Sequence, residues 1–396
     1  MDNASRKRFN ASFTPEKYRS FLMDIHQQFD HVPNFRIAET PVFIDQDLQR
    51  KLIEACDLIC SEIMKPSFKD LTAGSLDDTF RVPNEDDHTQ FLQLDFGITR
   101  DVDGTLVPRL IETQGFPTLY FYQDMVARMY RQHFDVPQNC HHLLNCTSDE
   151  YLDLLREMIV GQCDPENVVL LEIEPDKQPT RIDFLITERI LGIKILCISN
   201  LKRDGRSLYY VNDFGKKVPI YRIYNRVIFD DLIKRVDLQH ELFFTEEIDA
   251  EWVGHPNWFF RISKYALPLF DNKYVPNTWY LKDLTVLPED LHNYVLKPMF
   301  SFSGSGVMFN LSGEAIQERG DLRNFILQEK ISYEPVVESL GEPAKCEVRM
   351  LLLWPKDVQS PIIVNSLVRL SKGDMIGVKY NYDQAWVGGS VGFFVG

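Results

Sequence analysis

The stretch Tyr294-Val-Leu-Lys297-Pro-Met-Phe-Ser-Phe-Ser303-Gly304-Ser305-Gly306-Val-Met-Phe309 carries one lysine along an apolar strand into a glycine loop and out into a second apolar strand. Glycines lack a Cβ, so such a loop can take positive φ and bring its backbone close to a ligand. A hairpin of this kind can lay N–H groups and one cation against a polyphosphate. The residue order excludes the two commonest nucleotide loops. No Lys-Ser/Thr follows the glycines, as the Walker loop needs, and no third glycine opens a helix, as the dinucleotide fingerprint needs. Taken alone, the segment reads equally well as a plain glycine-rich hairpin.

The flanking order of parts narrows the choice. Upstream lie His255-Pro-Asn257-Trp-Phe-Phe-Arg-Ile-Ser-Lys264 and Val275-Pro-Asn277-Thr278; downstream comes Phe325-Ile-Leu-Gln328-Glu329-Lys330-Ile331. Together these segments resemble the ATP-grasp superfamily. The resemblance implies that Lys264 and Lys297 hold the ATP phosphates under the loop Ser303, Gly304, Ser305 and Gly306. It puts Gln328, Glu329, Lys330 and Ile331 along the adenine edge, and an acid, Glu334 or Glu338, on the ribose. Further on, Cys346-Glu347-Val-Arg349 resembles the strand that supplies a charged pair in glutathione synthetase-like ligases. Val368-Arg369-Leu, Lys379-Tyr-Asn381 and Gly388-Gly389 resemble their following arginine, asparagine and double-glycine turn.

ATP-grasp ligases normally finish with an acidic strand and a Glu-x-Asn segment that hold two magnesium ions, whereas this sequence ends at Gly396, soon after the double glycine. The equivalent appears near the other end. Leu92-Gln-Leu-Asp95-Phe-Gly-Ile, a turn at Asp103-Gly104, and Pro108-Arg-Leu-Ile-Glu112-Thr-Gln114-Gly-Phe-Pro117 read as two strands joined by an Asp-Gly turn. The spacing lets Asp95 and Glu112 face each other, and Glu112 and Gln114 share a face because strand side chains repeat every two residues. Magnesium takes few carboxylates and completes its shell with hard oxygens and phosphate. The arrangement resembles a circularly permuted ATP-grasp enzyme, similar in element order to the synthetase part of glutathionylspermidine synthases. Gln114 stands where that family usually has asparagine. The permutation requires the hairpin Leu92 to Pro117 to pack beside the strand Glu347 to Leu353.

Composition fits this class. At 396 residues the chain exceeds one usual core. Residues 1–120 are expected to form helices and the metal-binding hairpin, 121–250 a helical segment with a small α/β, Rossmann-like substrate lobe, and 251–396 the ATP-grasp lobes. The fold class is therefore α/β (α+β). A content of 44% hydrophobic and 26% charged residues is that of a globular protein. With 43 basic against 58 acidic residues the formal charge is −15, and no basic patch points to nucleic acid. No signal-peptide pattern opens the chain and no apolar run reaches membrane-spanning length, so a cytoplasmic protein without a membrane partner is expected. Seven scattered cysteines suit reduced thiols. Cys140-His141-His142 with Cys146 matches no standard zinc spacing. Cys56 and Cys60, four apart on a helix over Asp47 to Met64, read as buried thiols.

Elsewhere, Thr118 to Phe134 has the aromatic spacing of a buried helix, and Thr147 and Glu150 have capping-box spacing. Val168 to Ile173, Thr180 to Leu191 and Ile193 to Ile198 read as a βαβ unit; Ser207 to Val211 and Val218 to Arg226 flank a turn at Asp213-Phe-Gly215. Arg181, Arg222 and Arg226 are candidates for a bidentate grip on a carboxylate, although surface ion pairing is the ordinary role of each. The resemblance implies an ATP- and magnesium-dependent ligase joining a small-molecule or peptide carboxylate to an amine or thiol through an acyl phosphate. Arg349, Asn381 and Lys297 would serve as catalytic residues, the Gly388-Gly389 amides would lie beside them, and Asp95, Glu112 and Gln114 would hold metal. A non-catalytic ATP-binding protein and a small-molecule kinase are the alternatives.

Overall fold

The computed structural model describes residues 1–301, 304–318, 322–373 and 384–396. The N-terminal helices Asn3–Ser12 and Pro15–Phe29 lead to strand β1 (Val42–Ile44) and the helix Gln46–Ile63. Asp45 caps that helix by accepting from Leu48 N, worth about 1 kcal/mol. Strands β2 (Phe91–Arg100) and β3 (Leu106–Gln114) then form a hairpin. Its turn is closed by Asp101 N donating to Thr105 O, with Asp103 accepting from Thr105 N and Gly104 at φ +84°. Asp101 and Asp103 are thus turn residues.

The expected helices and the βαβ unit are present. Helix Tyr120–His133 buries Tyr120, Phe121, Met125, Val126 and Tyr130. Short β4 (Cys140–His141) precedes helix Ser148–Ile159, whose capping box joins Thr147 and Glu150. Next come β5 (Val168–Glu172), helix Arg181–Leu191 and β6 (Lys194–Cys197). Strands β7 (Lys202–Asp204), β8 (Ser207–Val211) and β9 (Lys217–Ile220) form a separate meander. The single strand expected over Val218 to Arg226 is broken at Tyr221, where the chain leaves the meander and becomes β10 (Arg222–Asn225). The break is fixed from both sides: Tyr221 N donates to Asn167 O, and Tyr221 O accepts from Glu251 N. With β11 (Glu251–Val253), a parallel sheet β11-β10-β5-β6 results.

The lysine strand lies in a third sheet, with β12 (Thr278–Tyr280), β14 (Phe325–Glu329) and β13 (Tyr294–Pro298) adjacent in that order. The expected second strand of the glycine hairpin shrinks to one bridge, Leu296 with Met308, on the edge of β13 away from β14.

The largest sheet is assembled from distant parts of the chain. Strands β15 (Lys345–Leu353), β16 (Ile362–Ser371) and β17 (Gly388–Val395) complete the order β1-β17-β16-β15-β2-β3, with β4 also on β17. The hairpin β2–β3 therefore lies beside β15 despite some 250 intervening residues, with Asp95 opposite Arg349. On one face, Leu92, Leu94 and Phe96 of β2 and Val348, Met350 and Leu352 of β15 share a core with helix Gln46–Ile63. The alternate residues point the other way. There Phe91, Leu351, Leu353, Val364, Val391 and Phe393 pack with helix Tyr120–His133, and Gln93, Asp95, Glu347 and Arg349 form a polar part of that face. Among the described residues, no helix is long and apolar enough to cross a membrane.

Candidate active site

The polar part of the sheet is set by alternation and one bulge. Asp95 and Gln93 share a face of β2, as Glu347 and Arg349 do on β15, and Arg369 of β16 stands opposite Glu347. On β3, Leu110 faces the core, so Glu112, two residues on, would follow it by simple alternation. The register shifts there: Asp95 pairs with Glu112 but Phe96 with Leu110, leaving Ile111 out of the ladder. Such a bulge re-aims the following side chain. It brings Glu112 to the face of Asp95, and the unpaired Ile111 carbonyl accepts from Lys297 Nζ at 2.9 Å.

Three carboxylates and four cations meet at this place. Asp95, 1% exposed, accepts from Arg349 Nε at 2.6 Å and Nη2 at 2.7 Å, and from Arg369 Nη2 at 2.6 Å. Arg349 Nη1 also donates to Gln93 Oε1 at 3.0 Å, and Arg369 pairs with Glu347 at 2.7 Å. Lys264 Nζ reaches Glu112 Oε1 at 2.6 Å and Ser301 O at 2.5 Å. Lys297 Nζ reaches Gln328 Oε1 at 2.6 Å, and Gln328 is oriented by Thr278 Oγ1 at 3.1 Å.

Burial would raise Asp95, but Arg349 and Arg369 outweigh it and hold the carboxyl below its usual range. Glu347 is pushed up by burial to about 7, against the pull of Arg369. Burial lowers Lys297 to about 8, with Glu112 opposing and Lys264 adding to the shift. Lys264, Lys297, Arg349 and Arg369 thus face Asp95, Glu112 and a Glu347 drawn towards neutrality. The surplus is positive, as an anion site requires.

The remaining expected residues fall in several places. Gly304 and Gly306 have φ of +69° and +73°, and a Cβ on Gly306 would come within 2.8 Å of Pro298 Cγ, so both positions need glycine. Ser305 is exposed between them. Gln328 is turned inward to Lys297. Glu329 accepts from Asn277 Nδ2 at 2.8 Å, and Lys330 N donates to Asn293 O at 2.7 Å. Ile331 and Tyr333 cross over Gly97, where any Cβ would collide with them. Neither ribose candidate is brought to the lysines: Glu334 pairs with Arg100 at 2.9 Å, and the Glu338 carbonyl accepts from Asn10. Ser303, Lys379 and Asn381 lie outside the described residues.

Several neighbouring expectations change. Arg222 is held by Glu251 and the Ile159 and Met158 carbonyls, Arg226 by Asp183, and Arg181 by Asp176, so none is free for a substrate carboxylate. Arg369, the arginine that the resemblance expects after the charged pair, belongs to the charged cluster. The double glycine is explained by the N-terminal segment. Gly389 N donates to Arg36 O at 2.8 Å, and a Cβ on Gly388, at φ +125°, would strike that same carbonyl. Of the two amides that the resemblance puts beside Arg349, that of Gly389 is thus engaged by the chain's own backbone. Cys56 and Cys60 are buried, and no group of three His, Cys, Asp or Glu suited to a metal occurs among the described residues.

For magnesium, Glu112 and Gln114 fit in kind, being hard oxygen donors on one wall of a cleft beside Lys264. Asp95 is different, because guanidinium donors already occupy both its oxygens. The cleft is narrow, enclosing about 20 Å³, room for roughly one water molecule. It lies between the end of β3, helix Pro256–Arg261, the segment Ile228–Asp230 and the chain after β13.

No protein-family model matches the chain, and no curated protein matches it by sequence. Among solved structures, the fold is similar to a glutathione synthetase-like effector from Globodera pallida, determined in the apo form. The two are 14% identical over 91% of this chain and 96% of the other, with a TM-score of 0.56. A protein assigned as a γ-glutamylcysteine synthetase from Methylobacillus flagellatus is 12% identical over 82% of each chain, with a TM-score of 0.40, too slight to carry an argument. The chain thus has a mixed α/β fold shared with a glutathione synthetase-like protein.

Proposed function

We propose that this chain is an ATP- and magnesium-dependent ligase of a circularly permuted ATP-grasp kind, joining a small-molecule or peptide carboxylate to an amine or thiol through an acyl phosphate. One observation carries the reading: Lys264 and Lys297 meet a carboxylate hairpin from residues 91–114 and two arginines from residues 345–371 in one cluster with surplus positive charge. The permutation is supported by the place of β2–β3 beside β15.

In this reading Lys264 and Lys297 hold the phosphates of ATP, with the Gly304–Gly306 turn beside them. The substrate carboxylate oxygen attacks the γ-phosphorus, the bond to the bridging oxygen breaks, and ADP leaves. The amine or thiol then adds to the acyl carbon and loses a proton, and inorganic phosphate departs. Arg349 and Arg369, held by Asp95 and Glu347, stabilise the charge on the acyl phosphate. Fixed cations are most effective in a site of low dielectric, where positioning and electrostatics supply most of phosphoryl-transfer catalysis. Glu112 and Gln114 would hold magnesium, which when bound neutralises charge on the transferring phosphoryl group.

A second reading, a nucleotide-binding protein without catalysis, is favoured by the complete engagement of Asp95 by arginines. Incubation with ATP, magnesium and pools of carboxylates and amines distinguishes the readings. ADP released with equal inorganic phosphate is the expected result. A stable phosphorylated product would make the protein a kinase, and nucleotide binding with no ADP release from any pool would make it a binding protein.

A further inference from the structure

The two lysines of the cluster are held by acceptors of different charge. Lys264 Nζ donates to the Glu112 carboxylate at 2.6 Å and to the Ser301 carbonyl at 2.5 Å. Lys297 Nζ donates to the Ile111 carbonyl at 2.9 Å and to the Gln328 amide oxygen at 2.6 Å, both neutral. An ammonium has three donors, so these bonds leave each lysine one for a ligand. Their charges are not equally available. The side chains of Lys264 and Glu112 are 3% and 16% exposed, and a pair so far from water is little screened. Glu112 therefore cancels most of the charge of Lys264, whereas Lys297, equally buried, keeps its own. The bulge in β3 sets up both arrangements, since it turns Glu112 inward and frees the Ile111 carbonyl.

A polyphosphate arriving without a metal thus meets one uncancelled lysine and, beside it, a carboxylate that repels it. Arg349 and Arg369 do not remove that repulsion, because Asp95 and Glu347 already engage them. A divalent cation on Glu112 would change the Lys264–Glu112 pair from neutral to doubly positive and leave the lysine charge to a phosphate oxygen. Repulsion of the wrong ligand is as effective a source of specificity as attraction of the right one.

We propose that Glu112 is a specificity-determining residue, a built-in counter-anion through which the lysine pair rejects polyphosphate that carries no divalent cation. This deepens the ligase reading and rests on it for the identity of the nucleotide, but the charge rule holds for any polyphosphate and is measurable without turnover. It also gives the pair a task in the free protein: Glu112 keeps the buried Lys264 paired and keeps metal-free ATP from occupying the site.

The test titrates inorganic tripolyphosphate, ATP with a chelator, and ATP with magnesium into the full chain by calorimetry at pH 7 and constant ionic strength. The parent should bind ATP at least tenfold more tightly with magnesium than without. In Glu112→Gln, and equally in Glu112→Ala should the first variant fold poorly, affinity for tripolyphosphate and for metal-free ATP should each rise at least fivefold, and the preference for the magnesium form should be lost. Adding Lys264→Met should cancel the rise. A Glu112 that only supports the fold would give weaker binding of every probe when replaced. Metal-free affinities that stay level or fall in both Glu112 variants, or equal affinity of the parent for ATP with and without magnesium, overturn the inference; binding of ATP with magnesium by the parent would then leave the nucleotide site standing. A rise for tripolyphosphate in the variants with no binding of ATP in either form would keep the inference and sink the nucleotide reading.

Discussion

Two buried aspartates, Asp183 and Asp95, face arginines in almost equally dry surroundings, yet their carboxyls shift in opposite directions. Burial raises Asp183 above its usual range, and its cationic partner, Arg226 at 3.2 Å, only moderates the rise. Burial acts on Asp95 too, but two guanidiniums at 2.6 Å overcome it and hold that carboxyl low. The first pair is closed on itself. Asp183 also accepts from Leu119 N and Tyr122 N, which ties the start of helix Tyr120–His133 to the parallel sheet. The second is open to more negative charge, because its cations exceed what Asp95 requires. One buried ion pair therefore serves the fold, and the other, in the proposed reading, serves a ligand.

The comparison breaks first at Arg226. Arg226→Leu leaves Asp183 buried without a countercharge, and removing one partner of such a pair costs about 3–5 kcal/mol. Urea unfolding should show a loss of that order, while ATP affinity in the folded fraction stays within twofold. A loss under 1 kcal/mol would mean that the two pairs do not differ as argued.

The open cluster should answer in activity instead. Glu112→Gln keeps the shape and a hydrogen bond to Lys264 but removes the charge offered to magnesium. Loss of one electrostatic stabiliser at a reacting group costs about 10²-fold or more in turnover. Steady-state ADP release should fall by that much with the melting temperature nearly unchanged; turnover within about twofold of the parent would remove Glu112 from the mechanism.

A smaller effect follows from Lys297, whose ammonium is lowered by burial to about 8. The protonated form binds phosphate, so affinity is complete below pH 8 and is lost as pH rises through it. From pH 7 to 9 the protonated fraction of the free protein falls about tenfold, and ATP affinity should fall by up to that factor. Lys297→Arg, whose guanidinium does not titrate in this window, should abolish the slope. A slope surviving in that variant would assign it to another group.

Much of the frame was legible in the sequence because it is written locally. The Asp103-Gly104 turn marks the β2–β3 hairpin, and capping chemistry at Thr147 marks its helix. Several contacts within the site were not legible. No local pattern signals the bulge at Ile111, since an unpaired residue shows only in the partner's register. Nor could spacing reveal that Asp95 is shared by arginines 254 and 274 positions away, or that Gln328 turns in to hold Lys297. Gly388-Gly389 looked like a ligand turn because close approach of any backbone demands glycine; the backbone that approaches is the chain's own Arg36.

The central claim, that the lysine pair is the phosphate site of a nucleotide, is tested most directly by calorimetric titration of ATP with magnesium into the parent chain and Lys297→Ala. Losing that one charge–phosphate contact should weaken binding at least tenfold, about 1.4 kcal/mol, with the melting temperature within a few degrees of the parent. Saturable binding by the parent and that weakening in the variant are the predicted result. No binding by the parent, or equal affinity in both proteins, would contradict the account.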